Sequence, residues 1–148
     1  MLRDKVAIVS GANRTVGFEI AKEFTARNAR IFFCSSSMTS AHTSLTIISN
    51  EAYAERLVVT DVHGMSQFSL YMAERHKYID ILINNAGYPF ERMKGKKRFH
   101  EVAQEDFERV IEVDDKGAFR LSQAPIQAIT KNNDSSGRTM RGGRISDN

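Results

Sequence analysis

The sequence is poor in the features that staple or anchor a chain. One cysteine, Cys34, stands among 148 residues, so no internal disulfide can form and the reducing cytoplasm is the expected location. No apolar run is long enough to span a bilayer. The opening Met1-Leu2-Arg3-Asp4-Lys5 leads into only a short apolar run, Val6 to Val9, too little for the core of a secretion signal, so no membrane contact is expected. Charge of one sign is scarce too. Lys and Arg number 21 against 18 Asp and Glu, leaving +3, too small by itself to direct the chain to nucleic acid. His42, His63, His76 and His100 share no metal-ligand spacing with one another or with Cys34, so no metal site is expected. No Gly-Lys-Ser or Gly-Lys-Thr follows Gly11, which excludes a P-loop hydrolase.

What is present is an ordinary globular composition, 41% hydrophobic and 26% charged, in a chain long enough for one domain with a core. Its organising stretch is Val6 to Gly17. Val6-Ala7-Ile8-Val9 reads as a strand buried on both faces, as in a parallel sheet. Ser10-Gly11-Ala12-Asn13-Arg14-Thr15 is a small, turn-forming segment. Val16, Ile20 and Phe24 then recur every four positions, the spacing of a helix face. Strand, glycine turn and helix in that order make the phosphate-cradling end of a nucleotide-binding βαβ unit. The helix start offers unpaired N–H groups and a partial positive charge, and glycine lets the backbone come close to a pyrophosphate.

The remaining chain repeats the alternation. Arg27-Asn28 closes the first helix, Asn28 tolerating a left-handed cap. Ile31 to Cys34 reads as a second strand, Leu57 to Asp61 as a third, and Ile79 to Ile83 as a fourth. Residues 41–49 read as a helix, and Ser66 is placed to cap another that runs to about His76. Gln104 to Val113 presents Phe107, Val110 and Ile111 on one face; 118–129 continues it, with a break expected at Gly117 and Pro125. Gly142 to Ile145 reads as the entry to a fifth strand. Strands alternating with helices predict an α/β fold with a parallel sheet and right-handed crossovers.

Four separated stretches resemble one family, the short-chain dehydrogenases/reductases. Ser10 to Gly17 resembles the family's Thr-Gly-x-x-x-Gly-x-Gly motif; Asp61-Val62 resembles the acid after its third strand. Asn84-Asn85-Ala86-Gly87 stands as the family's intact signature, and 110–119 resembles the helix that bears an active-site asparagine, with Asp114 at the asparagine's place. The flavour is that of the 3-oxoacyl-acyl-carrier-protein reductases. The resemblance implies a Rossmann-like doubly wound parallel sheet, incomplete, in the strand order 3-2-1-4 with a stub of a fifth. It implies a nicotinamide dinucleotide as partner, held by Gly11, Asn13, Arg14, Thr15, Val16, Gly17, Asp61, Val62, Asn85, Ala86 and Gly87. Asn84 is expected to tie neighbouring strands. Arg14 would meet the 2′-phosphate of NADP, and Ser35 stands where the family's NAD binders carry Asp, so NADP is expected over NAD. Thr15 replaces a family glycine, and a β-branched side chain there crowds the backbone and should weaken dinucleotide binding. Asp114 can only accept hydrogen bonds where an amide also donates, which puts a proton-relay role in doubt.

Family chemistry also requires a tyrosine with a lysine four residues on, both on one helix face. Tyr53, Tyr71, Tyr78 and Tyr88 are followed at that spacing by Leu57, Arg75, Leu82 and Arg92. Ser146 comes too early for the family's serine. The reading is therefore the dinucleotide-binding part, 1–148, of one truncated domain whose ancestry is reduction of a ketone or 3-oxoacyl thioester. The alternative is a non-catalytic dinucleotide-binding or scaffold module. Arg92 to Arg98 reads as a solvated basic loop rather than a contact for a phosphorylated substrate or nucleic acid. A half-sheet exposes apolar surface and a strand edge, which predicts self-association.

Overall fold

The computed structural model describes residues 2–37, 52–76, 79–89 and 98–124. Its centre is β1, Val6–Ser10, every residue of it buried. Successive side chains of a strand point to opposite faces, and the core divides accordingly. Val6 and Ile8 join Phe32, Leu57, Val59, Met65, Phe68, Met72 and Leu121 on one face. Ala7 and Val9 join Ala12, Ala21, Ala29, Ile31 and Phe33 on the other. β2, Arg30–Ser35, pairs parallel with β1 from Val6↔Arg30 to Ser10↔Cys34. β3, Ala52–Arg56, pairs with β2, and β4, Ile81–Ile83, with β1, both parallel. The order β3-β2-β1-β4 is the one expected.

α1, Thr15–Ala26, lies on the alanine-rich face. It ends as its sequence suggests: Asn28 takes a left-handed φ of 64°, the Asn28 N–H donates to the Thr25 carbonyl and the Ala29 N–H to that of Phe24. This pair gives partners to two carbonyls of the last helical turn. Its buried contacts, however, come from Gly17 and Ala21. Ile20 and Phe24 pack at the margin of the core, and Val16, expected on the apolar stripe, is 64% exposed. Small residues let the helix sit close to the sheet, which rotates Val16 outward.

The third strand was expected at 57–61 and forms instead at Ala52–Arg56. Leu57 and Val59 are buried, but they lie past the last ladder pair, Ser35↔Arg56. The Leu57 N–H still donates to the Ser35 carbonyl at 3.0 Å, and Val59 fills the core from a turn closed by the Asp61 N–H on the Val58 carbonyl. An apolar run signals burial, and here the end of a strand and the turn after it supply that burial. α2, Val62–Arg75, is capped by Asp61 rather than Ser66, because the Asp61 carboxylate accepts from the N–H groups of His63 and Gly64. The Ser66 hydroxyl, one turn inside, donates to the Val62 carbonyl. α3 begins at Gln104–Val110 and passes through a π-turn, Ile111–Lys116, where the Gly117 N–H donates to the Glu112 carbonyl. It resumes as helix to residue 124. The expected break at Gly117 thus falls one turn earlier. The extra residue of a π-turn shifts the helical face, so Phe107 is exposed while Val113 and Leu121 reach the core. The expected helix at 41–49, the basic loop apart from Arg98, the Pro125 break and the fifth-strand entry lie outside the described residues.

At the opposite sheet edge Asp80 holds the start of β1. Its carboxylate accepts from Lys5 Nζ at 2.6 Å and from the Val6 N–H at 2.9 Å. His76, at the end of α2, meets the Phe32 ring edge-on with centroids 4.6 Å apart. Burial, then the charges of Arg30 and Arg75, push the His76 imidazole below its ordinary 6.5. A group with a depressed basic pKa binds its proton less readily folded than unfolded. Stability is therefore full above about pH 6.5 and falls as pH drops from there through the folded value. Thermal unfolding near pH 7 and near pH 5 should show a lower midpoint in acid, and His76→Phe should narrow that gap.

Candidate functional site

In a parallel sheet all strands end at the same edge, and the site residues gather there. β1 ends at Ser10, β2 at Ser35 and β4 at Ile83. The Ser10 side chain is the hub of that edge. Ser10 is 2% exposed, and its hydroxyl donates to the Ile83 carbonyl at 3.3 Å and accepts from the N–H groups of Asn85 and Ala86, both at 3.0 Å. In return the Asn85 side-chain amide donates to the Ser10 and Gly11 carbonyls at 3.0 and 3.2 Å. The turn after β1 and the segment after β4 are thereby locked together. The tie expected of Asn84 is made by Asn85; Asn84 donates instead to the Ser122 hydroxyl on α3 at 3.0 Å. The difference is one of alternation: only Asn85 points toward β1.

Two glycines make this approach sterically feasible. Gly11 has φ 66°, and a Cβ there would stand 2.9 Å from the Ala86 Cα. A Cβ on Gly17, in the first turn of α1, would stand 2.3 Å from the Asn85 amide nitrogen and 2.8 Å from the Gly11 carbonyl oxygen. Between them, Asn13 is half-buried and Arg14 exposed. Arg14 occupies the N-cap position of α1 with no side-chain cap bond, and the first turn carries no acidic residue. Thr15, exposed, takes φ 49°. Holding a β-branched residue there costs roughly 1–2 kcal/mol against an unstrained conformation.

Asp61 comes to the same end of the sheet as the cap of α2, with Val62 exposed beside it. A Cβ on Gly64 would lie 2.8 Å from an Asp61 carboxylate oxygen, so the cap needs that glycine's small size. Asp114 sits inside the π-turn, and its Oδ1 accepts from the Tyr88 N–H at 2.7 Å. This bond uses only the accepting capacity that a carboxylate has. It fastens α3 to the backbone just past Gly87. Sequence reasoning did not single out Ser10 or the Tyr88 N–H as site groups. The only signal was a hydroxyl at the end of a fully apolar strand, a position that demands partners for a buried polar group.

The family model for short chain dehydrogenases matches residues 5–140. The chain belongs to the short-chain dehydrogenase family. Among curated relatives it is 31% identical over 124 residues to galactitol 2-dehydrogenase of Agrobacterium fabrum, covering 83% of this chain and 46% of that protein. It is 28% identical over 127 residues to the 3-oxoacyl-(acyl-carrier-protein) reductase of Escherichia coli, covering 86% and 50%. Among solved structures, actinorhodin polyketide ketoreductase with NADPH superposes at a TM-score of 0.76 and 28% identity, over 88% of this chain and 49% of that one. The 3-ketoacyl-(acyl-carrier-protein) reductase of Brucella melitensis, complexed with NADH, superposes at 0.77 over 93% and 55%. At 23% identity, that match speaks for the fold alone. The chain spans about half the length of the curated relatives it matches.

The family's glycine motif is thus built here on a serine latch. Ser10→Ala removes the shared acceptor of two half-buried N–H groups and should cost about 1 kcal/mol of stability, read by denaturant unfolding. Thr15→Gly releases the left-handed strain and should raise stability by about 1 kcal/mol in the same assay.

Proposed function

We propose that this chain is the dinucleotide-binding part of an NADP-dependent short-chain reductase domain. The observation that carries the reading is the start of α1: a helix N-terminus with no side-chain cap and no acidic residue in its first turn. Such an end offers free N–H groups and a partial positive charge, the chemistry a pyrophosphate needs. The residues therefore fit the cofactor, which when bound would supply a hydride. Gly11, Asn13, Thr15, Val16 and Gly17 would line its pyrophosphate, Arg14 its 2′-phosphate, Asp61 and Val62 its adenine end, and Asn85, Ala86 and Gly87 its ribose. The Ser35 hydroxyl is turned into its own loop, donating to the Ser37 carbonyl and accepting from the Ser37 N–H, both at 3.1 Å. It puts no carboxylate at the end of β2 to repel a phosphate, which supports NADP over NAD.

The substrate class is a carbonyl, either a ketone or a 3-oxoacyl thioester, in keeping with the reductases among the chain's relatives. No tyrosine in the 148 residues has a lysine four positions on, so these residues by themselves bind the dinucleotide without transferring its hydride. Asp114 serves as an acceptor that holds the Tyr88 backbone, not as a donor in a proton relay. β4 supports self-association: among the described residues its only partner is β1, and its side chains are half-buried where those of β1 are buried. A second strand at that edge would pair its free backbone groups.

Fluorescence titration should show NADPH binding more tightly than NADH. Arg14→Ala should weaken NADPH about tenfold, as loss of one charge-assisted hydrogen bond of about 1.5 kcal/mol requires, and leave NADH little changed. An NADH preference in the parent chain would overturn the NADP assignment. Steady turnover of acetoacetyl thioesters by the same chain would overturn its inactivity.

A further inference from the structure

We infer that Gly117 and Val59 together set the depth at which α3 seats, and thereby position Asp114 against the Tyr88 N–H. Gly117 is buried immediately past the π-turn. A Cβ there would stand 2.7 Å from Val59 Cγ2 and 3.0 Å from Val59 Cβ. Val59 cannot easily make way. It is 8% exposed and belongs to the core, its side chain is β-branched and stiff, and the turn around it is closed by the Asp61 N–H on the Val58 carbonyl at 2.8 Å. The contact therefore acts as a stop for the helix.

Gly117 also closes the π-turn, since its N–H donates to the Glu112 carbonyl. The stop is thus three residues from Asp114 and continuous with the turn that presents it. Further along, the buried Leu121 and the Asn84–Ser122 bond fix the rest of the helix. A helix held at those points but lifted at Gly117 would tilt, and the tilt would draw Asp114 away from Tyr88. At 2.7 Å that bond tolerates a shift of a few tenths of an ångström, whereas one approaching about an ångström breaks it. Val59 lies two residues before Asp61, so the same contact links the loop that caps α2 to the helix bearing Asp114. Gly117 and Val59 are positioning residues: they act on the site through Asp114. The consequence for binding rests on the dinucleotide reading of this edge; the geometry of the stop does not.

Alanine is ordinarily preferred to glycine inside a helix, so the sign of the effect is diagnostic. The test compares the full chain with Gly117→Ala, Val59→Ala and the double variant, using the Tyr88 backbone amide resonance and NADPH titration. Gly117→Ala should move the Tyr88 resonance to that of an amide without a carboxylate partner, and weaken NADPH at least fivefold. Adding Val59→Ala should make room for the new methyl and return both readings to those of Val59→Ala alone. If Gly117→Ala does not fold, a folded double variant with the Tyr88 resonance of Val59→Ala supports the stop. An unmoved Tyr88 resonance in Gly117→Ala, or a double variant as perturbed or as unfolded as the single, overturns it. Should the parent chain bind no NADPH, the dinucleotide reading fails, and the Tyr88 resonance alone decides between these outcomes.

Discussion

The buried Ser10 hydroxyl is the interaction on which the functional edge depends. β1 and β4 share only three paired positions, Ala7 to Val9 against Ile81 to Ile83. So short a ladder sets the strands side by side but does not dictate the path of the chain leaving them. One hydroxyl does so by serving three backbone groups, the Ile83 carbonyl and the N–H groups of Asn85 and Ala86. The Asn85 amide answers with two more bonds to the backbone of Ser10 and Gly11. Buried polar groups that are fully partnered specify one arrangement, because every alternative leaves some of them unmade at a cost of about 1–3 kcal/mol each. The close approach that follows explains the glycines. Gly11 and Gly17 face Ala86 and Asn85, and a Cβ at either would collide with the latch.

The same edge is reached from the other face of the sheet by α3, which has no buried residue in its first two turns. It seats further along, through Val113, Leu121 and Ala124. The π-turn lies between these regions and gives the helix the extra residue that turns Asp114 toward Tyr88. Glu112, paired with Lys116 and Arg120, bridges the turn. Lys116 and then Arg120 hold the Glu112 carboxyl below its ordinary range, against a smaller opposing effect of burial. The Lys116 pair is open to solvent and contributes little to stability, while the Arg120 pair is half-buried. They are more useful in fixing the direction of a helix whose regular hydrogen bonding is interrupted.

The legibility of the fold in the sequence followed the physics of each element. β1, the glycine turn and α1 were visible because an apolar run, small turn residues and a helical repeat coincide there. The order 3-2-1-4 followed from the family resemblance and from the alternation of strands and helices. β3 was misplaced because Leu57 and Val59 carry the apolar signal while Ala52–Arg56 carries the ladder. Its edge position lets Tyr53 stay half exposed while its ring stacks on Phe32 at 5.1 Å. The cap expected at Ser66 is made by Asp61 for a related reason: composition shows which residues can cap, not where the chain turns. Neither the π-turn nor the latch was legible. An i→i+5 bond leaves no compositional trace, and Ser10 and Asn85 are 75 positions apart.

What the chain keeps and what it changes are separated by what each residue touches. Gly11 and Gly17 are constrained by atoms of the protein itself, so a cofactor is not required to explain them. Asp114 departs from the family's asparagine yet retains the accepting oxygen that Tyr88 uses. Thr15, the departure that strains the backbone, is exposed at the start of α1. The glycines are therefore kept by the packing of the edge, Asp114 keeps the one oxygen its partner uses, and Thr15 stands on the exposed side of the turn. A glycine motif read in sequence reports first on the packing of a strand, a helix and a neighbouring loop. Its evidence for binding enters through the groups that packing leaves exposed, which in this chain are Arg14, Thr15 and the uncapped start of α1.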